Sequence, residues 1–172
     1  MDLTGIAAQF AFPGRLVNIH PFGSGNVNDT YLAVFRTPFS EERGIIQRIN
    51  GRVFKEPGLI ISNMRIVTDH VHARLEAEAE SADRIWQLPR LVQTKQGQDC
   101  LLNGQNDCWR AMTVIASATS HDRAQGPEHA LEAGAVLGQF HRLLSDLDPA
   151  RLKDTLPGFH VKIGRASCRE RV

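Results

Sequence analysis

The sequence predicts an α+β fold, a mostly antiparallel sheet with one helix inserted between its third and fourth strands. Two observations carry that expectation. Short apolar runs recur up to residue 115, each bounded by Gly, Asn, Asp or Pro. One stretch among them, after Pro57, instead spaces its apolar residues at the helical period. A second helical stretch follows a small, polar linker. The chain therefore divides into 1–115, 116–162 and a distinct tail at 163–172.

Residues 5–12 carry Ile6, Ala7, Phe10 and Ala11, a pattern for a short amphipathic helix ended by Pro13-Gly14. Leu16-Val17-Asn18-Ile19 and Tyr31-Leu32-Ala33-Val34-Phe35 read as two strands. Between them lies Pro21-Phe22-Gly23-Ser24-Gly25-Asn26-Val27-Asn28-Asp29-Thr30, the stretch around which the rest is organised. Gly23 and Gly25 let the backbone turn tightly or approach a ligand. Asn26, Asn28 and Asp29 form turns and offer polar side chains. Residues 37–44 read as a polar loop. Ile45-Ile46-Gln47-Arg48-Ile49-Asn50 reads as the third strand, with Ile45, Gln47 and Ile49 on one face and Ile46 and Arg48 on the other.

After Glu56-Pro57-Gly58 a helix places Ile60, Met64, Val67 and Val71 on one face and runs on toward Glu80. His70 and His72 have no metal partner at suitable spacing and are expected at the surface. Arg90-Leu91-Val92-Gln93-Thr94 and Asp99-Cys100-Leu101-Leu102 read as a hairpin around Lys95-Gln96-Gly97. A turn at Asn103-Gly104 leads to the last strand, 108–115, so Cys100 and Cys108 can lie on adjacent strands. Residues 116–122 read as a linker. Gly126-Pro127 then opens a helix whose stripe is Ala133, Val136, Leu137, Phe140, Leu143, Leu144 and Leu147. Leu147-Asp148-Pro149 ends it, and 155–160 is irregular.

Composition narrows the function classes. The chain has 172 residues, 42% of them hydrophobic, and a formal charge of +1. No apolar run approaches membrane-spanning length, and the start has no basic segment typical of a secretory leader. Cys100, Cys108 and Cys168 fit no metal spacing and no disulfide framework, which suits reduced thiols in a cytoplasm. No basic stripe points to nucleic acid. The last ten residues, Ile163-Gly164-Arg165-Ala166-Ser167-Cys168-Arg169-Glu170-Arg171-Val172, read like a sequencing adapter translated in one frame. They are expected to be an artefact, unstructured and outside the fold. Their net charge of +2 leaves the rest of the chain at −1.

Three motifs then resemble one family. Phe22-Gly23-Ser24-Gly25-Asn26-Val27-Asn28-Asp29-Thr30-Tyr31, Ile46-Gln47-Arg48-Ile49-Asn50 with Val53-Phe54, and Leu156-Pro157-Gly158-Phe159-His160 look like the aminoglycoside phosphotransferase and choline kinase superfamily, nearest the N-acetylhexosamine 1-kinases. The resemblance runs from about Gly5 to His160. It implies the N-terminal lobe of the protein-kinase-like fold over 1–115, then a hinge and the first helix of a truncated C-terminal lobe over 116–162.

The resemblance also implies ATP- and Mg²⁺-dependent phosphoryl transfer to a small-molecule hydroxyl, on a sugar or amino sugar. Such chemistry is mainly positioning and charge neutralisation. Gly23, Ser24, Gly25, Asn26 and Asn28 would cover the phosphates. Arg48 would stand where the family fold carries a phosphate-pairing lysine, although a shift of one residue puts Gln47 there. Arg48→Ala in the intact protein would then weaken ATP use. An acid on the helix after Pro57 should pair with that residue; Ser62 and Asn63 occupy the region, and Asp69 lies two turns on. Thr113, Val114, Ile115 and Ala116 would be the hinge that hydrogen-bonds adenine. The general base and metal ligands of the family lie beyond the third motif, so no catalytic or metal residue is assigned, and the chain alone is expected to be inactive and marginally stable. The alternatives are a non-catalytic nucleotide-binding or structural module of the same fold, and a protein-interaction domain sharing only the layout.

Overall fold

The structure is a computed structural model that describes residues 2–78, 84–103, 107–116, 118–119 and 121–159. The expected continuation of the first long helix past Glu78, Gly104, Ser117, His160 and the 163–172 tail lie outside the described residues.

The described chain is a mixed α+β fold with a six-stranded antiparallel sheet and three α-helices. Strands β1 (Arg15–Pro21), β2 (Asp29–Arg36) and β3 (Glu41–Ile49) form a meander. Helix α2 (Pro57–Ala77) follows, then β4 (Leu91–Val92), β5 (Leu101–Leu102) and β6 (Cys108–Thr113). The sheet order is β1-β2-β3-β6-β4, with β5 also on β6. Helix α1 (Leu3–Ala7) precedes the sheet, and α3 (Pro127–Leu144) follows it. A 3-10 turn at Pro149–Arg151 comes last, with the Asp148 carboxylate accepting from the Ala150 amide at 2.9 Å.

The first helix is shorter than its apolar spacing suggests. It ends at Ala7, and Phe10 instead makes an antiparallel bridge to Thr94. The extended form lets Phe10 bury completely and gives the Ala11 amide the Gln93 carbonyl at 2.9 Å. The polar loop expected over 37–44 shrinks to the turn 37–40. Glu41, Glu42 and Arg43 pair with Arg36, Phe35 and Val34, so propensity there yields to the ladder. At Gly14, with φ of 83°, a Cβ would lie 2.4 Å from the Arg36 carbonyl oxygen, so this turn requires glycine.

The expected hairpin of 90–94 with 99–102 does not form a ladder of its own. Leu91 and Val92 pair with Met112 and Ala111, while Leu101 and Leu102 pair with Trp109 and Cys108. β4 and β5 are thus one interrupted strand along the free edge of β6, and the 93–100 turn loops off it. β6 is the longer template and offers each short run more hydrogen bonds than they could give each other.

Each face of the sheet packs against a different element. One face carries Ala33, Phe35, Ile46, Trp109 and Ala111, packed beneath Ala7 and Phe10 from the N-terminal segment. The other carries Ile49 and Cys108, with Met112 beside them, beneath Ile61, Ile60 and Met64 of α2. The buried line of α2 is Ile61, Thr68, Val71 and His72, so it is rotated from the expected stripe; Ile60, Met64 and Val67 are half-buried. His72 is therefore a core residue, 9% exposed, and not a surface one. His70 is mostly covered too, its Nε2 3.0 Å from an Asp146 carboxylate oxygen. Cys100 packs against Cys108, and both are free thiols. Helix α3 rests on α2 through buried Leu143 and an Arg74–Asp146 ion pair of 2.5 Å. Val136 and Leu137 of its stripe stay half-exposed.

Candidate functional site

Three segments far apart in sequence meet at one end of the sheet. Gly23 has φ of 79° with no atom within 4 Å of a Cβ position, so glycine is required there by backbone conformation and not by crowding. The turn it belongs to is tied to the end of β3. The Asn50 amide donates to Asn28 Oδ1 at 3.0 Å, and Asn50 Nδ2 donates to the Val27 carbonyl at 3.0 Å. The chain then turns on the Asn50 carbonyl, which accepts from Val53 and Phe54 at 3.0 and 2.9 Å. Val53, Glu56 and Leu59 face Leu156, Pro157 and Phe159 across a cleft of about 430 Å³. A reciprocal pair fixes that approach: Asn63 Nδ2 donates to the Lys153 carbonyl at 2.7 Å, and the Lys153 amide returns a bond to Asn63 Oδ1 at 2.9 Å.

Two open clefts flank the glycine turn. A shallow cup of about 190 Å³ is lined by Gly23, Gly25, Asn28 and Thr30. A larger polar cleft of about 570 Å³ is lined by Asn26, Asp29, Arg48, Asn50, Arg52 and Asp107. Ser24 belongs to the same turn and is exposed. The structure thus gathers Gly23, Gly25, Asn26, Asn28 and Arg48 around one rim.

The hinge candidates lie at the other end of the sheet. Gly44 pairs with Thr113, and Gln47 with Arg110, so about 10 Å of strand separates the two levels. Thr113, Val114 and Ile115 line a cleft of about 330 Å³ with His72, Trp86, Leu88 and Arg90. Thr113 is committed to the β4 side: its amide donates to the Arg90 carbonyl, and its Oγ1 accepts from the Arg90 amide, both at 2.9 Å. Val114, Ile115 and Ala116 make no backbone hydrogen bond among the described residues. Burial, with Arg90 nearby, lowers the His72 pKa, and its Nε2 has no partner among the described residues.

The face on which each β3 side chain lies decides its chemistry. Gly44, Ile46 and Arg48 share the face covered by the N-terminal segment; Ile45, Gln47 and Ile49 share the α2 face. The acid expected on α2 as a partner for Arg48 is therefore not there, because Arg48 points away from that helix. Its partners are Asp29, whose Oδ2 accepts from Nε at 2.8 Å and also from Nη2, and Asp107 at 3.5 Å. The bond to Asp29 raises the Arg48 pKa. Asp69 of α2 instead faces Arg65, which is bound to Asp99 at 2.5 Å.

On the α2 face the cation comes from β6, a residue that motif spacing does not single out. Arg110 Nε and Nη2 donate to Gln47 Oε1 at 3.0 and 2.6 Å, and Gln47 Nε2 donates to Thr30 Oγ1 at 2.8 Å. Met64 of α2 approaches the same group, its sulfur 3.2 Å from Arg110 Nη1. Burial lowers the Arg110 pKa. The available signal was period-two parity on β6, which puts Arg110 in line with Cys108 and Met112. Beyond this row the α2 face is only half-covered: Leu32, Val34, Ile45 and Met112 are partly exposed.

No protein-family model matches the chain. No described helix is long and apolar enough to cross a membrane. Among the described residues no three His, Cys, Asp or Glu side chains gather to hold a metal ion.

Proposed function

We propose that this chain is the nucleotide-binding part of an ATP-dependent phosphotransferase of the protein-kinase-like fold, resembling the aminoglycoside phosphotransferase and choline kinase superfamily. The acceptor is a small-molecule hydroxyl, on a sugar or amino sugar, and the setting is cytoplasmic. One observation carries the reading: the glycine turn, the end of β3 and the 154–159 segment converge at one rim, while the 113–116 segment lies at the other end of the same sheet. Between them the half-covered apolar side chains Leu32, Val34 and Met112 offer a platform for a base. The polar row Thr30–Gln47–Arg110 lies toward the glycine turn. An apolar floor that passes into polar groups suits a nucleotide, whose base is flat and whose phosphates are charged.

The two carboxylates described at this rim do not fit a Mg²⁺ site. Asp29 and Asp107 both face Arg48, and two acids compensated by one guanidinium are poorly placed to take a hydrated divalent ion. No step of the chemistry is assigned to the metal, and no described residue is assigned as the base that accepts the acceptor's proton.

The test is calorimetric titration of residues 1–172 with ATP, followed by an ATP-dependent phosphorylation assay over a panel of sugars and aminoglycosides. Binding without turnover is the expected result, with turnover appearing in a longer polypeptide that supplies carboxylates beyond residue 160. Absence of any affinity for adenine nucleotides would refute the reading and favour an interaction domain. Binding by a longer polypeptide that still transfers no phosphate would favour a non-catalytic nucleotide-binding module.

A further inference from the structure

Arg110 is an arginine held inside the fold with no acid paired to it among the described residues. The other described arginines with no ion pair, Arg15, Arg43, Arg52, Arg123 and Arg151, are all exposed to water. A guanidinium has five N–H groups. Gln47 takes two from Arg110 and the Met64 sulfur takes one, which leaves two without an acceptor among the described residues. Keeping a desolvated cation against a neutral amide and a thioether costs stability, and an apolar side chain of similar length would fill the site at less cost. The lowered pKa of Arg110 has the same origin, desolvation with no carboxylate to offset it.

Its surroundings orient the group. Thr30 Oγ1 accepts from the Gln47 amide nitrogen, which turns the Gln47 oxygen toward β6 and so fixes the Arg110 fork across β3. Thr30, Gln47 and Arg110 lie side by side on three neighbouring strands, on the α2 face and close to the glycine turn. A planar, preorganised fork with unused donors matches the oxygens of a phosphate. Arg48, by contrast, already has two carboxylates and lies on the other face.

We infer that Arg110, oriented by Gln47 and Thr30, is the cation that recognises the polyphosphate of a nucleotide on this sheet, and that Arg48 is structural. The inference rests on the nucleotide reading above, and three probes keep the two apart. The 172-residue chain and its Arg110→Met, Arg110→Lys and Arg48→Met variants are titrated with ATP, with adenosine and with inorganic pyrophosphate, and their thermal midpoints are measured. Arg110→Met should lower ATP affinity at least tenfold, abolish pyrophosphate binding, leave adenosine within twofold and keep or raise the thermal midpoint. Arg110→Lys should recover part of the ATP affinity, and Arg48→Met should leave all three ligands within twofold. Unchanged ATP and pyrophosphate affinity in Arg110→Met would overturn the inference, as would a loss of ATP affinity confined to Arg48→Met. A fall in the Arg110→Met midpoint with adenosine binding lost as well would show a structural arginine. Failure of the unsubstituted chain to bind adenosine refutes the nucleotide platform. In that case pyrophosphate binding that depends on Arg110 would still support the anion site, and its absence would end both.

Discussion

Replacing Gly44 by alanine should destabilise the sheet although alanine is tolerated in most strands. Gly44 sits in β3 with an ordinary strand backbone, so conformation does not demand glycine there. Space does. An added Cβ would lie 2.1 Å from Phe12 Cζ and 2.5 Å from its Cε1, where contacts below 3.0 Å essentially never occur. The ring must therefore retreat by roughly an ångström or more before it regains van der Waals distance. It is not free to do so, because Phe12 stacks on Phe35 with centroids 4.5 Å apart and planes 18° from parallel. Overpacking of this kind costs about 1–3 kcal/mol, and losing the stack adds about 0.5–1.5 kcal/mol. Removing a glycine restrains the unfolded chain and returns about 0.4–1 kcal/mol. The net expectation is a loss of about 0.5–4 kcal/mol, a fall of several degrees in Tm for a chain of this length. Urea unfolding followed by the fluorescence of fully buried Trp109 measures it. In the Gly44→Ala, Phe12→Ala double mutant the clash is gone, so the two costs should fall short of additivity by more than about 1 kcal/mol. A Gly44→Ala loss below about 0.5 kcal/mol, or an additive cycle, would refute the account of how Phe12 packs.

Two further outcomes are expected. His72 is buried with its pKa lowered by burial and by Arg90, so the folded protein holds it neutral where the unfolded chain, titrating near pH 6.5, takes up a proton. The unfolded state then binds more protons, and stability falls as pH drops below about 6.5, by at most ~1.4 kcal/mol per pH unit, until the folded group protonates as well. Urea midpoints between pH 7.5 and 5 should show this slope, and His72→Gln should flatten it. Leu143 is 3% exposed at the contact of α3 with α2, so Leu143→Ala should cost about 2–5 kcal/mol if α3 belongs to the same cooperative unit. Unfolding of α3 in a separate, earlier transition would show instead that it is docked only loosely.

Much of the fold was legible along the chain. The glycine turn, the three strands of the meander, the helix opened by Pro57 and the helix opened by Pro127 each carry their own local signal, and each is present. The misreadings cluster where a segment's partner is distant. Phe10 continues a helical pattern but bridges Thr94, more than eighty residues away. Glu41, Glu42 and Arg43 look like loop residues until β2 supplies a ladder. His72 looks like a surface histidine until the Leu88-Pro89 backbone and Arg90 come up beside it. The candidate site shows the same division: Asn26 and Asn28 were visible as turn formers, but nothing in the spacing tells that the Asn28 side chain accepts from the Asn50 amide.

The sequence by itself determined that neighbouring residues on β3 point to opposite faces, because a strand alternates with a period of two. It could therefore establish that Gln47 and Arg48 have different fates, without saying which fate belongs to which. Only the tertiary structure decided that. The N-terminal segment brings Ala7 and Phe10 over Ile46, and α2 brings Ile61 and Met64 over Ile49; the lowest free energy is the one that buries both apolar sets. That choice sends Gln47 to the helix side beside Arg110 and leaves Arg48 to Asp29 and Asp107. Which face a strand buries depends on the summed burial offered by elements tens of residues away, and no local pattern contains that sum.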